Sequence, residues 1–263
     1  MRRKNAKFRK DVEALLPTPS SWTDVSAGVT PIFSPRSGAG VLDMYAAMVD
    51  EAKRLSCITL AFGIGKAFKD ALKDNTSASH IAFFLLEKED KPNPKAKDPF
   101  VDLTARNNVY EAWGSYLPDP LYQWARETNA KFLELNKHVS YIHSKFLLMD
   151  PLGDDPIVVT GSANFSKAST NDNDENMLVI RGDRRVADIY FTEFNRLFHH
   201  YYFRSIQQTT KRLLDAGEKA KSDQQTLFLV ENDGWLAKYR PGSLKRKRVD
   251  ILSQTTAFDP AWT

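Results

Sequence analysis

Short runs of consecutive apolar residues alternate along this chain with stretches of helical spacing. Cys57 to Phe62 and Ile81 to Leu86 are runs of strand length, apolar enough to be covered on both faces. Gly65 to Lys73 lies between them and reads as a helix. The three segments together predict a strand–helix–strand crossover with parallel strands. Upstream, Leu42, Tyr45, Val49, Ala52 and Leu55 recur at helical spacing and predict an amphipathic helix from Val41 to Leu55. Thr30 to Pro35 carries two prolines, which suits a strand at a sheet edge.

Downstream, strands are predicted over Val139–Ile142, Phe146–Met149, Ile157–Thr160 and Met177–Ile180. Turn-forming residues separate them at Pro151 to Asp155 and at Arg181 to Asp183. Pro120 to Asn129 is a short helix candidate. Ile189, Phe191, Phe194, Leu197, Phe198 and Tyr201 predict a long helix within Arg185–Leu214 that stops near Gly217. Lys88 to Pro99 is charged and proline-rich, and reads as a surface loop. The expected fold is α/β, with a mixed, mostly parallel sheet flanked by helices on both faces. Residues 1–29 read as a basic, Pro- and Ser-rich arm with a short leading helix. Residues 30–215 read as the main domain, and residues 216–263 as a polar C-terminal extension.

Composition narrows this picture. A chain of 263 residues, 42% hydrophobic and 27% charged, is long enough to bury its core without cross-links. The single cysteine, Cys57, rules out a disulfide within the chain and a cysteine zinc cluster, and its apolar surroundings make it a structural thiol. The N-terminus (Arg2 to Lys10) is basic, but no apolar segment follows it, so it does not read as a secretory signal. No apolar run reaches spanning length, and the expectation is a soluble, cytoplasmic protein. The net charge of +4 leans toward polyanionic partners such as nucleic acid.

One constellation carries candidate chemistry. His143 and Lys145 are separated by one residue, so on a strand they would share a face. An imidazole can attack phosphorus, and an ammonium can neutralise a phosphoryl oxygen. The pair alone fits a plain surface strand equally well. More follows it, however. Asp150 comes five residues after Lys145, and Gly161-Ser162-Ala163-Asn164-Phe165-Ser166 sits at the exit of an apolar strand. Asn173 and Glu175 precede the next strand. Glycine at Gly161 would let backbone approach a ligand closely, and Asn164 can donate to a phosphate oxygen. Glu175 could accept the second ring proton of His143 and fix its tautomer.

These segments resemble the signature of the phospholipase D superfamily, often called the HKD superfamily. The resemblance covers about residues 30–205. Pro31 to Pro35 looks like the opening of that domain, and Glu193 to Phe198 like its closing helix. The stretch between Asp150 and Gly161 is longer than usual for the family, with the extra residues in the turn at Leu152 to Pro156. The resemblance implies a phospholipase D-like catalytic domain over 30–215. In it His143 is the nucleophile of a phosphohistidine intermediate, Lys145 and Asn164 bind phosphoryl oxygens, Ser162 supports the pocket and Glu175 orients His143. Asp150 is expected to act structurally through charge pairing, with Gly161 and Asn173 completing the motif.

The family's chemistry uses two facing motifs. His80, His138, His199 and His200 each lack a lysine two residues on. The second motif is therefore expected from a second copy in a homodimer, or from another region of a longer protein. No cofactor and no metal ligand are expected. Asp172-x-Asp174-x-Asn176 lacks the glycine of a calcium loop, and Gly63-Ile64-Gly65 lacks the third glycine of a dinucleotide fingerprint. The basic ends, Arg2 to Lys10 and Lys245 to Arg248, are either solvated termini or phosphate contacts; Lys245 to Arg248 also matches a nuclear-import string weakly. The expected activity is that of a metal-independent phosphodiesterase, foremost a nuclease acting on DNA or RNA. The alternatives are a phospholipase D or phosphatidyl transferase, and a non-catalytic nucleic-acid-binding module.

Overall fold

The computed structural model describes residues 6–73, 80–92, 94, 100–103, 108–114, 142–217 and 233–253. The expected helix at 120–129, most of the expected strand at 139–142, and His138 lie outside them. Among the described residues, seven strands form one sheet in the order β1-β7-β6-β5-β2-β3-β4. They are β1 (Gly28–Phe33), β2 (Leu55–Leu60), β3 (Ile81–Leu86), β4 (Val109–Trp113), β5 (Phe146–Met149), β6 (Ile157–Gly161) and β7 (Asn176–Arg181).

The sheet is mixed and flanked by helices, as the pattern predicts, but its parallel share is smaller than expected. Only β2–β3 and β3–β4 are parallel; the other four pairings are antiparallel. The physical reason is the connections. The β2–β3 crossover has room for a helix, whereas β5 and β6 are joined by a tight turn at 150–156 that only an antiparallel pair can use.

Period-two alternation sorts each strand between two cores. Ile58, Leu60, Phe84, Leu86, Leu147 and Val159 face α2 (Gly40–Asp50) and α3 (Lys66–Leu72). Cys57, Phe83, Leu85, Phe146, Leu148 and Val158 face the other side. That side is covered by the long helix α5 (Arg184–Asp215), which follows the short α4 (Lys167–Asn171), through a stripe of Ala187, Phe191, Phe194 and Phe198. Burial of each such phenylalanine is worth ~1.5–3 kcal/mol, so the stripe, rather than helix propensity, seats α5. Ile189, expected on the apolar face, points to solvent instead. Asp183 caps the helix by accepting the Val186 N–H at 3.0 Å.

Two boundaries differ from the expected ones. The helix predicted to Leu55 stops at Asp50, and Leu55 already belongs to β2. Strand β4 has no counterpart in the sequence reading; it is a short edge strand whose Trp113 donates to Gln208 of α5 at 3.1 Å.

The basic C-terminal cluster is also ordered. It forms α6 (Leu244–Leu252) and buries Ile251 in the α5-side core. Arg248 stacks over Tyr110, 5.0 Å from the ring centroid, and donates to His199 at 3.1 Å, while Arg246 pairs with Asp250 at 2.8 Å. These two arginines are engaged within the fold rather than presented as an extended basic string.

His80 is fully buried at the start of β3. The Ser56 hydroxyl donates to the Val49 carbonyl at 3.0 Å, so at 2.9 Å from His80 Nε2 it accepts from the ring. Burial pushes His80 down to about 4; the charge of Asp150 opposes this shift and that of Lys247 adds to it. An unfolded chain takes up this proton near pH 6.5 and the folded one does not. The contribution to stability is therefore complete above pH 6.5 and is lost as pH falls toward 4, by about 3 kcal/mol in all. Denaturant titrations at pH 7 and pH 4.5 are expected to show a fall in wild type that is largely absent in His80→Gln.

Candidate active site

The parallel strands β2, β3 and β4 end at the edge of the sheet where β5 begins and β6 finishes. His143 and Lys145 lie there, on the stretch entering β5, with Ser162 and Asn164 on the stretch leaving β6. Glu175 and Asn173 immediately precede β7. Three separate loops thus converge on one edge.

Residues 142–145 are not a strand, so the shared face expected for His143 and Lys145 is not a strand face. The Lys145 ammonium instead donates to the backbone carbonyl of His143 at 2.8 Å, which ties the two residues together locally. The His143 ring is open to solvent. Burial lowers the pKa of Lys145, and the Glu175 charge opposes that shift. Glu175 also accepts from Asn173 Nδ2 at 3.1 Å. The hydrogen bond expected between Glu175 and the His143 ring is not formed among the described residues.

The glycine–serine segment alternates. Ala163 and Phe165 are buried, with Phe165 edge-on to Tyr45 at 5.4 Å, while Ser162 and Asn164 lie on the other side of the chain. Ser162 forms backbone and hydroxyl bonds with Asn176: its N–H donates to the Asn176 carbonyl at 2.9 Å and its hydroxyl accepts from the Asn176 N–H at 3.0 Å. It therefore fixes the loop to the head of β7. Asn164 Oδ1 is buried and has no hydrogen-bond partner among the described residues. Gly161 is needed for strand approach rather than ligand approach. A Cβ there would collide with the Asn176 carbonyl and come within 2.8 Å of Met177 Cα.

Asp150 lies at the far end of β5, ~14 Å from Phe146 at ~3.4 Å of rise per residue. Among the described residues it forms no ion pair. Its carboxylate accepts the N–H groups of Lys53 and Arg54 at 2.8 Å and of Leu55 at 3.1 Å, and its backbone takes φ 47°. This clip turns the chain after α2 into β2, and it explains why the predicted helix ends early.

A family model described as the cardiolipin synthase, PLD-like domain matches residues 52–198, more than half of the chain. The chain belongs to the phospholipase D-like family. No curated protein matches this phospholipase D-like chain. Among solved structures, Nuc from Salmonella typhimurium, a phospholipase D family member, is similar at 18% identity. The likeness covers 66% of this chain and 95% of that one, with a TM-score of 0.42. NucT from Helicobacter pylori is similar at 16% identity over 65% and 95%, with a TM-score of 0.44. Phosphatidylserine synthase from Haemophilus influenzae is similar at 14% identity over 76% and 48%, with a TM-score of 0.37.

Several residues around the phospholipase D-like site carry no motif in the sequence. Helix α1 (Ala6–Leu15) and the chain after it lie against the loop that carries Asn173 and Glu175. Arg9 pairs with Asp172 at 3.0 Å. The buried Arg36 donates to the carbonyls of Phe33 and Leu16 at 2.7 Å and to Thr18 Oγ1 at 2.8 Å. Phe62 and Phe33, 63% and 43% exposed, follow or end strands at this same edge. Among the described residues, no helix is long and apolar enough to cross a membrane. Nor does any cluster of His, Cys, Asp or Glu among them have metal-holding geometry.

The Asp150 clip predicts a stability effect without a chemical one. Asp150→Ala is expected to lose about 3 kcal/mol in urea unfolding. Asp150→Asn should lose less, since the amide keeps one acceptor and tolerates positive φ. Activity per folded molecule should stay at the wild-type level in Asp150→Asn; a selective loss of turnover would place Asp150 in the chemistry instead.

Proposed function

We propose that this chain is a phosphodiesterase whose nucleophile is His143. The observation that carries the reading is the exposed His143 on the same short stretch as the partly buried Lys145, whose ammonium donates to the His143 carbonyl, with the Glu175 charge acting on the lysine. The His143 ring attacks phosphorus and a P–O bond to the leaving alcohol breaks. Water then hydrolyses the phosphohistidine. Lys145 and Asn164 bind the phosphoryl oxygens, the latter through its amide N–H group. Glu175 orients the His143 ring in this reading, a hydrogen bond that is not formed among the described residues, where Glu175 accepts from Asn173. Ser162, Gly161 and Asn173 hold the loops. No metal takes part in this reading. A second histidine, which protonates the leaving group, comes from another copy across a two-fold axis or from another region of a longer protein.

The foremost substrate is DNA or RNA, supported by the net charge of +4 and by the nuclease-type reading of a single motif. A lipid substrate is the second reading. It is favoured by the two exposed phenylalanines, Phe33 and Phe62, at the site's edge of the sheet, and by the family model's description.

Wild type, His143→Ala and Lys145→Ala should be assayed on plasmid, single-stranded DNA, RNA and phosphatidylcholine, with and without EDTA. His143→Ala is expected to lose at least ~10³-fold in kcat and Lys145→Ala ~10²–10³-fold, with activity retained in EDTA. Cleavage of lipid alone selects the second reading, and full dependence on one divalent metal overturns the mechanism. Light scattering on the active protein tests assembly: full activity as a monomer of this chain would rule out the two-fold arrangement.

A further inference from the structure

The ladder between β2 and β5 ends at the pair Ile58 and Leu147. One position farther along β2, a side chain takes over from the backbone. The Thr59 hydroxyl accepts the Phe146 N–H at 3.0 Å and donates to the Ser144 carbonyl at 2.8 Å. A hydroxyl can do both at once, having one hydrogen and two lone pairs. The peptide groups on either side of Lys145 are thereby fixed to β2.

A second side chain acts ahead of His143. Glu87 directly follows β3, and its carboxylate accepts the Ile142 N–H at 2.6 Å. Thr59 and Glu87 are 1% and 2% exposed. Hydrogen bonds this well shielded hold their geometry, and losing one strands a buried partner. The stretch from Ile142 to Lys145 is outside any strand. Its path is set instead by two side chains that sit at the ends of adjacent parallel strands.

Resting on the reading of His143 and Lys145 given above, we propose that Thr59 and Glu87 are positioning residues for this site. They fix the direction in which the nucleophile and the phosphate-binding lysine project. Neither touches substrate; both act through the backbone. Displacement of a reacting group by ~1 Å costs ~10²-fold in rate, so loss of either anchor should appear mainly in turnover.

The test uses the full chain with bis(p-nitrophenyl) phosphate as a minimal phosphodiester. Thr59→Val keeps the side-chain shape and removes both hydrogen bonds, and Glu87→Met removes the acceptor. Each is expected to lose ~10–100-fold in kcat with KM within ~3-fold of wild type. Thr59→Ser and Glu87→Gln keep an acceptor and should stay within ~3-fold. Asp150→Asn, which loosens the far end of β5, supplies the control for lost stability alone. If Glu87→Met fails to fold, Glu87→Asp replaces it; its shorter reach should cost turnover in the same way.

A second readout needs no turnover. The ring signals of His143 in NMR, followed through their titration, should move in Thr59→Val and Glu87→Met and stay in place in Thr59→Ser, Glu87→Gln and Asp150→Asn. A wild type inert on every phosphodiester would sink the functional reading, and the ring signals would then decide the positioning. Folded Thr59→Val and Glu87→Met variants with wild-type kcat, or with unmoved His143 signals in an inert chain, would overturn the proposal.

Discussion

Strand β5 is bonded to β2 on one side and to β6 on the other over only four residues, all of them buried. It is where the parallel half of the sheet meets the antiparallel half. Because β5 runs against β2, its start lies at the edge where the parallel strands finish, and the end of β6 returns to that same edge. The loops carrying His143, Ser162 and Glu175 meet for this reason, although the residues are far apart in the chain. A slip of one residue would turn Phe146 and Leu148 away from the α5 side and Leu147 and Met149 away from the α2 side. The buried alternation therefore sets the register of the site.

At the lower edge of the sheet, where the parallel strands begin, several polar side chains serve the fold, although the amide of Asn108 just ahead of β4 has no partner among the described residues. Asp150 is bonded to three N–H groups, and His80 and Ser56 satisfy one another next to the Val49 carbonyl. At the upper edge valences are left over. The His143 ring is open and Asn164 Oδ1 has no partner among the described residues. An unsatisfied buried acceptor costs ~1–3 kcal/mol.

Much of this was readable from residue order. The apolar runs that became β2 and β3 needed no tertiary information, nor did the phenylalanine stripe of α5. Several of the misses depend on a contact between residues distant in sequence. The chain turns from the helix into β2 where it does because Asp150, nearly a hundred residues later, takes the N–H groups of Lys53, Arg54 and Leu55. Strand β4 is a strand because β3 offers an edge to it. Thr59 and Glu87 looked like ordinary strand and loop residues, and only the placement of β5 gives them partners. Helix α6 looked like a charged tail because the rings that receive Arg248 come from β3, β4 and α5.

The stretch matched by the family model, residues 52–198, is not the stretch that folds as a unit. It leaves out β1, which covers the outer edge of β7, and α2, whose Met48 and Val49 are wholly enclosed. It also stops part-way along α5. A fragment cut to those limits would carry every residue of the signature on a sheet stripped of one helical cover. Gene dissection or fusion work on this chain should take its boundaries from the buried surface rather than from the signature.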